Sequence, residues 1–174
     1  MRGVTAVDAI GATSEEWRRL YEEHATELLR YLAKFTHDRE SAAELMQETF
    51  VRLIQARPVF PDARAARAWL FRTATNLARS AGRRRALLSF FPFTGEETAA
   101  DGAFDDHADH VRAALRAIPF EQASALVLHY HAGFQRGEIA ALQDVSEEAV
   151  KSRLARGRRN FIAAYRRLER GLAR

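Results

Sequence analysis

Residues 133–161 read GFQRGEIAALQDVSEEAVKSRLARGRRNF and predict a short helix, a tight turn and a longer second helix. Asp144 suits the left-handed residue that such a turn needs, since Asp tolerates positive φ better than most residues. Ser146 suits the N-cap of the second helix, and Glu147 and Glu148 suit its first turn. This layout is typical of a helix-turn-helix, in which the second helix enters the major groove of DNA.

The second helix of this stretch has an apolar stripe and a cationic surface. Apolar or small residues recur every three or four positions and are expected to face inward: Val150, Leu154, Gly157, Phe161 and Tyr165. The remaining surface carries Lys151, Ser152, Arg153, Arg156, Arg158 and Arg159. Arginine can pair with guanine edges or with phosphates, and Ser and Lys contact phosphates. The alternative is a solvated basic helix without a DNA partner.

Composition excludes several classes of protein. The chain has 174 residues, 47% of them hydrophobic, which is enough for a buried core. It has no cysteine, no apolar run long enough to span a membrane and no secretory signal pattern, so we expect a cytoplasmic protein without disulfides. No nucleophile–base pair or phosphate-binding glycine loop is present. Two pairs of histidines, His107 with His110 and His129 with His131, lack further metal ligands nearby in the sequence. The sequence therefore predicts no enzyme, no metal site and no cofactor.

Charge is distributed unevenly along the chain. The net charge is only +4. Residues 64–85 carry seven Arg and no acidic residue, residues 86–110 carry six acidic residues and no Lys or Arg, and residues 111–174 are basic again. Two positive blocks flanking one acidic segment predict two separate phosphate-binding surfaces.

Helical periodicity predicts an all-α chain of two small helical domains joined by a flexible acidic linker. We expect the domains at 14–86 and 110–168, with the linker at 87–109. The first domain would be a bundle of three helices, the first capped by Ser14 and the second burying Ile54 among other apolar residues. The linker contains Phe90, Phe91 and Phe93, which we expect to dock on the chain itself or on a partner.

Three segments of the first domain carry a family resemblance: YEEH at 21–24, AELMQETFVR at 43–52 and AWLFRTATNLA at 68–78. Together they resemble region 2 of extracytoplasmic-function (group 4) sigma factors, the smallest members of the sigma-70 family of bacterial RNA polymerase subunits. The helix-turn-helix, through VKSRL at 150–154, resembles their region 4. Both blocks occur in the family's order, so the resemblance is specific. It implies an alternative sigma factor that binds core RNA polymerase and directs initiation at promoters with −10 and −35 elements.

The resemblance also implies which residues carry each task. The helix bearing Glu44, Gln47 and Glu48 would dock on the clamp of the polymerase β′ subunit. The −10 element would be opened and read by Phe60, in the loop 57–62, and by the helix residues Arg72, Thr75, Asn76, Arg79 and Arg83. The alternative for Phe60 is that it packs back on the helical bundle. On periodicity these helix residues lie away from the stripe containing Trp69, which we expect in the core, and Arg84 and Arg85 would be generic phosphate contacts.

Region 4 would read the −35 element with the six residues Lys151, Ser152, Arg153, Arg156, Arg158 and Arg159, and would touch the polymerase β flap. Family members are commonly held inactive by an anti-sigma factor, so we expect one here, one that could hold the protein at the membrane. No small-molecule substrate is expected.

Two other functions compete with this one. A stand-alone helix-turn-helix regulator would bind duplex DNA directly, with the first domain used for dimerisation or signal sensing. A helical adaptor without a DNA partner is the third. The regulator would not need the Glu44–Glu48 helix or the basic third helix, and the adaptor would leave both cationic surfaces unexplained.

Overall fold

The computed structural model describes residues 13–88 and 106–172, and their regular structure is α-helical. The helices are α1 (Ser14–Leu32), α2 (Arg39–Ala56), α3 (Ala63–Leu88), α4 (Asp106–Arg116), α5 (Phe120–Tyr130), α6 (Arg136–Gln143) and α7 (Glu147–Leu172). The predicted all-α fold is confirmed. Most of the predicted linker, including Phe90, Phe91 and Phe93, lies outside the described residues. In the described part of the chain, no helix combines the length and the apolar character needed to cross a bilayer.

Side-chain caps fix where the first helices begin. Thr13, rather than the predicted Ser14, caps α1: its hydroxyl accepts from the Glu16 backbone N–H at 3.3 Å, and the Glu16 carboxylate accepts from the Thr13 backbone N–H at 2.9 Å. This reciprocal pair satisfies two amide groups that the helix itself leaves unpaired. Asp38 caps α2 by accepting from the Ser41 backbone N–H at 2.6 Å. That backbone hydrogen bond lowers the pKa of the Asp38 carboxyl, because it favours the charged form.

Helices α1, α2 and α3 pack together as the first lobe. Tyr31 lies at its centre, fully buried, with its ring edge-on to Phe71 at 5.1 Å between centroids. Such aromatic pairs stabilise a core by about 0.5–1.5 kcal/mol beyond the area they bury. The prediction that Ile54 lies on the buried side of α2 is wrong, because half of its surface is exposed. Leu53 is the last buried residue of α2, and Ile54 follows it near the C-terminal end of the helix, where the core no longer covers the side chain.

Helices α4 to α7 form the second lobe, in which α7 packs against both α4 and α5. Val150 and Leu154 are buried as predicted. Gly157 lets α7 approach α5 closely: a Cβ atom at this position would lie 3.2 Å from the Leu126 side chain and 3.3 Å from Gln122 Cβ. These contacts are tighter than ordinary van der Waals distance, so the absence of a side chain at 157 sets the spacing of the two helices.

The two lobes are in contact, which the sequence did not predict. Helix α3 packs against α6 as well as against α1 and α2. Phe134, just before α6, is 1% exposed and lies edge-on to Phe71 of α3 at 5.1 Å. On the other side of the junction Phe35 meets Phe120 at 5.2 Å. Buried residues of both lobes therefore form one continuous core.

Candidate nucleic-acid and polymerase interface

The outer face of α3 carries three of the predicted −10 residues. Arg72, Asn76 and Arg83 are exposed, and their spacing of four and seven residues places them on one side of the helix. Described side chains near Arg72 and Arg83 form no ion pair with them, so both guanidinium groups can take up phosphates. This face is the cationic surface that the charge distribution predicted for the first lobe.

Thr75 is not on that face, and the prediction of its position is wrong. It is 1% exposed; its hydroxyl donates to the Phe71 carbonyl oxygen at 2.6 Å and lies 2.7 Å from the Tyr31 hydroxyl. With Thr75 donating to Phe71, Tyr31 is the donor to Thr75. Burial raises the pKa of the Tyr31 hydroxyl, so Tyr31 remains a neutral donor to Thr75.

Arg79 lies at the edge of the outer face and reaches towards the second lobe. Its Nε lies 3.5 Å from a Glu121 carboxylate oxygen, and its guanidinium carbon lies 5.7 Å from the centre of the Phe120 ring. Both partners are at the start of α5, in the second lobe. In this arrangement Arg79 joins the lobes, and its Nη1 also lies 3.5 Å from the Asn76 side-chain oxygen on the outer face.

Phe60 packs back on the helical bundle and does not project from the loop towards DNA. It is 5% exposed, and its ring is tilted against Trp69 at 6.1 Å between centroids. The apolar residue that the loop presents to solvent is Val59, which is 62% exposed. Sequence reasoning missed Val59 because an aromatic residue beside it is the commoner base-stacking group.

A cavity of about 450 Å³ opens between the end of α2 and the outer face of α3. Its lining combines one aromatic ring with polar and cationic groups: Arg52, Gln55, Ala56, Trp69, Thr73 and Asn76. An indole face suits the stacking of a nucleobase, and amide and guanidinium groups can hydrogen-bond its edge. Trp69 was expected in the core, and it does pack against the core while also lining this cavity. The sequence analysis did not single out Arg52, Gln55 or Thr73, because they come from two helices whose pairing only the fold reveals.

The surface of α2 that faces solvent combines acidic and apolar groups. Glu44 and Gln47 are exposed, and Val51 and Ile54 are 42% and 50% exposed on the same helix. Glu48 is partly covered by its ion pair with Arg52 at 2.9 Å. An exposed ion pair of this kind is weak, so it leaves Glu48 able to change partners. Exposed aliphatic side chains beside carboxylates suit a protein surface with basic and apolar groups.

The helix-turn-helix has the predicted local geometry. Asp144 is left-handed, with φ 53° and ψ 56°, and ends α6. The Ser146 hydroxyl accepts from the Ala149 backbone N–H at 3.2 Å and so caps α7. Val145 is half-buried between the two helices, and its backbone N–H donates to the Ala140 carbonyl oxygen at 3.0 Å. The turn therefore fixes the angle at which α7 leaves α6.

The cationic residues of α7 do not all share one face. Arg156 and Arg159 are exposed and Ser152 is half-exposed, and helical spacing puts these three on the side opposite the buried stripe. Lys151 is exposed on one flank, 3.6 Å from a Glu148 carboxylate oxygen. Arg158 instead borders an apolar groove of about 380 Å³, which Lys34 of the first lobe also lines together with the second-lobe residues Val111, Leu115, Leu126, Val127, Tyr130, His131, Phe161 and Ile162.

Arg153 is held in place by a chain of buried polar groups. Its guanidinium donates to the Gln143 side-chain oxygen at 2.7 Å, and the Gln143 amide donates to the Ser124 hydroxyl at 2.8 Å. Gln143 and Ser124 are both buried. Since the guanidinium has five N–H donors, this one contact orients Arg153 and leaves donors for a second partner. Gln143 is a positioning residue that the sequence analysis did not identify.

Comparison with known proteins places the chain in a family. Residues 20–87 match the family Sigma-70 region 2, and residues 109–161 match Sigma-70, region 4. The chain is 31% identical over 153 residues to the ECF RNA polymerase sigma factor SigL of Mycobacterium tuberculosis, with 84% of this chain and 86% of SigL covered.

Two solved structures share the fold over most of the chain. CnrH, in complex with the cytosolic domain of CnrY, superposes with a TM-score of 0.65 at 25% identity, covering 87% of this chain and 88% of CnrH. The sigma factor RpoE of Bartonella quintana, in complex with the anti-sigma factor NepR, has a TM-score of 0.68 at 20% identity, covering 87% and 98%. With both regions matched in order, and with a relative above 30% identity, the chain belongs to the extracytoplasmic-function sigma factors of the sigma-70 family.

Proposed function

We propose that this sigma factor docks on the β′ clamp of core RNA polymerase through α2, reads the −10 element with α3 and the adjoining cavity, and reads the −35 element with α7. The observation that carries the proposal is the cavity beside the exposed Arg72 and Asn76, because it joins an aromatic wall to a cationic track. Recognition of a melted element needs a pocket for an unstacked base and cations that hold the strand. The proposal assigns no catalytic step to the chain.

In the −10 contact, Arg72 and Arg83 hold phosphates while Asn76, at the edge of the cavity, hydrogen-bonds one extruded base. Val59 lies in the loop before α3 and supports the separated strand from the apolar side. An amide that pairs with a base edge discriminates among bases by about 1–3 kcal/mol, whereas a phosphate contact does not discriminate.

The test is a comparison of Asn76→Ala with Arg84→Ala in the reconstituted holoenzyme. Binding to a set of promoter probes with one changed base per −10 position would be measured for each. Asn76→Ala should lose discrimination at one position only. Arg84→Ala should weaken all probes equally and reduce the salt dependence of binding by about one charge. Equal weakening by both variants would remove Asn76 from the base contact.

In the −35 contact, α7 presents Ser152, Arg156 and Arg159 to the groove, with Arg153 oriented by Gln143 on one flank. Arg153→Ala should reduce −35-dependent initiation, and Gln143→Ala should do so more weakly while leaving Arg153 present. Equal loss on a promoter with a scrambled −35 sequence would show that Arg153 contacts only phosphates. We place the β-flap contact at the apolar groove that Arg158 borders, because exposed Tyr130 and Ile162 lie there, 62% and 48% exposed.

Regulation by an anti-sigma factor is part of the proposal. The Bartonella quintana RpoE was solved with the anti-sigma factor NepR bound and CnrH with the cytosolic domain of CnrY, and each match covers 87% of this chain. The site of action would be the cytoplasm, where core polymerase and the chromosome are, with any membrane tether supplied by the partner. A partner of this kind should block run-off transcription when it is added before core polymerase, and should have little effect on holoenzyme already formed.

A further inference from the structure

Ser124 is a fully buried polar residue in the interior of the second lobe. It lies on α5, between the buried residues Ala123 and Ala125, and α5 packs against both α6 and α7. Buried hydroxyl groups in folded proteins are hydrogen-bonded, since leaving one unpaired costs free energy. The Ser124 hydroxyl donates to the Glu121 carbonyl oxygen at 3.4 Å and accepts from the Gln143 side-chain amide at 2.8 Å. The hydroxyl therefore connects α5 to the last residue of α6.

The Gln143 side chain has two chemically different ends, and only one of its two orientations fits this site. Arg153 donates to the Gln143 side-chain oxygen at 2.7 Å, and a guanidinium group has no acceptor. The Ser124 hydroxyl, which donates its proton to the Glu121 carbonyl oxygen, offers a lone pair to the Gln143 amide nitrogen. Turning the amide over would put its NH2 group against the guanidinium and would require the Ser124 hydroxyl to leave Glu121. Because Gln143 is 6% exposed, water cannot make up for the lost contact.

Arg153 is the member of this chain of contacts that reaches the surface of α7. It is half-exposed, so part of its guanidinium is available to a partner outside the protein. The planar guanidinium pairs with a base edge or a phosphate through two parallel N–H groups, and this geometry depends on the angle at which the group is held. Exposed Arg156, about one turn further along α7, forms no ion pair or side-chain hydrogen bond within the part of the chain that the structure describes. Arg153 is thus oriented before DNA arrives, whereas Arg156 is not.

We propose that Ser124 is a positioning residue for −35 recognition: it fixes the amide of Gln143 with the oxygen towards Arg153, and thereby holds the guanidinium at the angle that selects one base. The inference rests on the proposed function, in which α7 reads the −35 element, and it adds a specificity determinant that does not touch DNA. Alanine would fit α5 at position 124 at least as well as serine, because alanine has the highest helix propensity. What alanine lacks is the hydroxyl, so Ser124→Ala isolates the orientation of Gln143.

The first measurement is made on the free full chain, without DNA or polymerase. The motion of the arginine Nε–H groups is measured by NMR relaxation, and the Arg153 signal is assigned as the one lost in Arg153→Lys. Its order parameter should be close to about 0.85, the value of rigid backbone, while that of Arg156 should lie below about 0.6. In Ser124→Ala the Arg153 value should fall towards that of Arg156. An unchanged value would overturn the inference.

The second measurement uses the reconstituted holoenzyme and promoter probes that carry one changed base at each −35 position. Ser124→Ala should reduce discrimination at one position about fivefold, the lower end of what an arginine paired with a base edge contributes. The salt dependence of binding should stay the same, because Arg153 keeps its charge. A lowered order parameter with unchanged discrimination would overturn the specificity role.

The matched control is Gln143→Glu, because a carboxylate has an oxygen at both ends. It can accept from Arg153 in either orientation and therefore needs no hydroxyl to direct it. In this background Ser124→Ala should change neither the order parameter of Arg153 nor the base discrimination. A loss that persists there would show that Ser124 only supports the packing of α5 against α7, and would overturn the inference.

Failure of the inference can be told apart from failure of the proposed function. A wild-type holoenzyme without discrimination at any −35 position would refute the proposed reading of the −35 element by α7, and the inference with it. The other contradicting results concern Ser124 alone and leave the sigma-factor function standing, because that function is tested separately by transcription.

Discussion

Replacing Thr75 by valine separates a structural role from a DNA contact at a position where the two are easily confused. Valine has the shape of threonine, so the change removes one hydroxyl and little else. That hydroxyl is the acceptor for the fully buried Tyr31 hydroxyl at 2.7 Å. Without it the Tyr31 donor stays buried and unpaired, which costs about 1–3 kcal/mol of unfolding free energy. At a typical urea dependence of about 2 kcal/mol per M, the midpoint of unfolding should fall by about 0.5–1.5 M.

The assay is urea unfolding followed by tryptophan fluorescence. Both tryptophans of the chain, Trp17 and Trp69, lie in the first lobe, so the signal reports that lobe. Tyr31→Phe in the Thr75→Val background removes the orphaned donor and should recover most of the lost stability, since replacing both partners by apolar groups is nearly neutral. Promoter activity below the unfolding transition should stay at the wild-type level. Unchanged stability with lost −10-dependent initiation would refute this account and return Thr75 to the DNA face.

Three further predictions test other parts of the molecule. Glu44→Lys with Gln47→Ala should weaken binding to core polymerase in a pull-down while thermal unfolding stays unchanged; unaltered binding would remove α2 from the docking surface. Gly157→Ala should destabilise the second lobe by up to about 2 kcal/mol in calorimetry, because its methyl group overpacks against Leu126 at 3.2 Å and this cost exceeds the gain of about 1 kcal/mol from alanine in a helix; a stabilised variant would show that α7 can shift at no cost. Burial lowers the pKa of His24 below its usual 6.5. Between that lowered value and pH 6.5 the unfolded chain binds more protons than the folded one, so the free energy of unfolding should fall as the pH drops below 6.5, by at most about 1.4 kcal/mol per pH unit. His24→Asn should flatten this dependence.

The helix-turn-helix could be predicted in detail because its determinants are local. Left-handed geometry at Asp144 and capping by Ser146 follow from the preferences of single residues at a turn and at a helix start. The buried stripe of α7 could be predicted from helical spacing, because α7 packs with one side against the rest of the second lobe. The overall all-α architecture followed in the same way, from several independent stripes.

The positions of Thr75 and Arg79 could not be predicted, because the periodicity of one helix does not reveal how many neighbours it has. Helix α3 packs against α1 and α2 on one side and against α6 of the second lobe on another, so it is covered on two sides. Thr75 lies on the side of α3 that faces α1, and Arg67 and Arg79 lie on the side that faces the second lobe. Contacts between elements distant in sequence leave no periodic signal in either one.

Run-off transcription with core RNA polymerase from the protein's own host measures the sigma-factor function itself. The purified chain would be mixed with core enzyme and with genomic fragments, and the transcripts mapped to their start sites. We expect transcripts that depend on the added chain and that start downstream of paired −10 and −35 elements, and these transcripts should be lost when either element is scrambled. Absence of any chain-dependent transcript with active core enzyme would contradict that function.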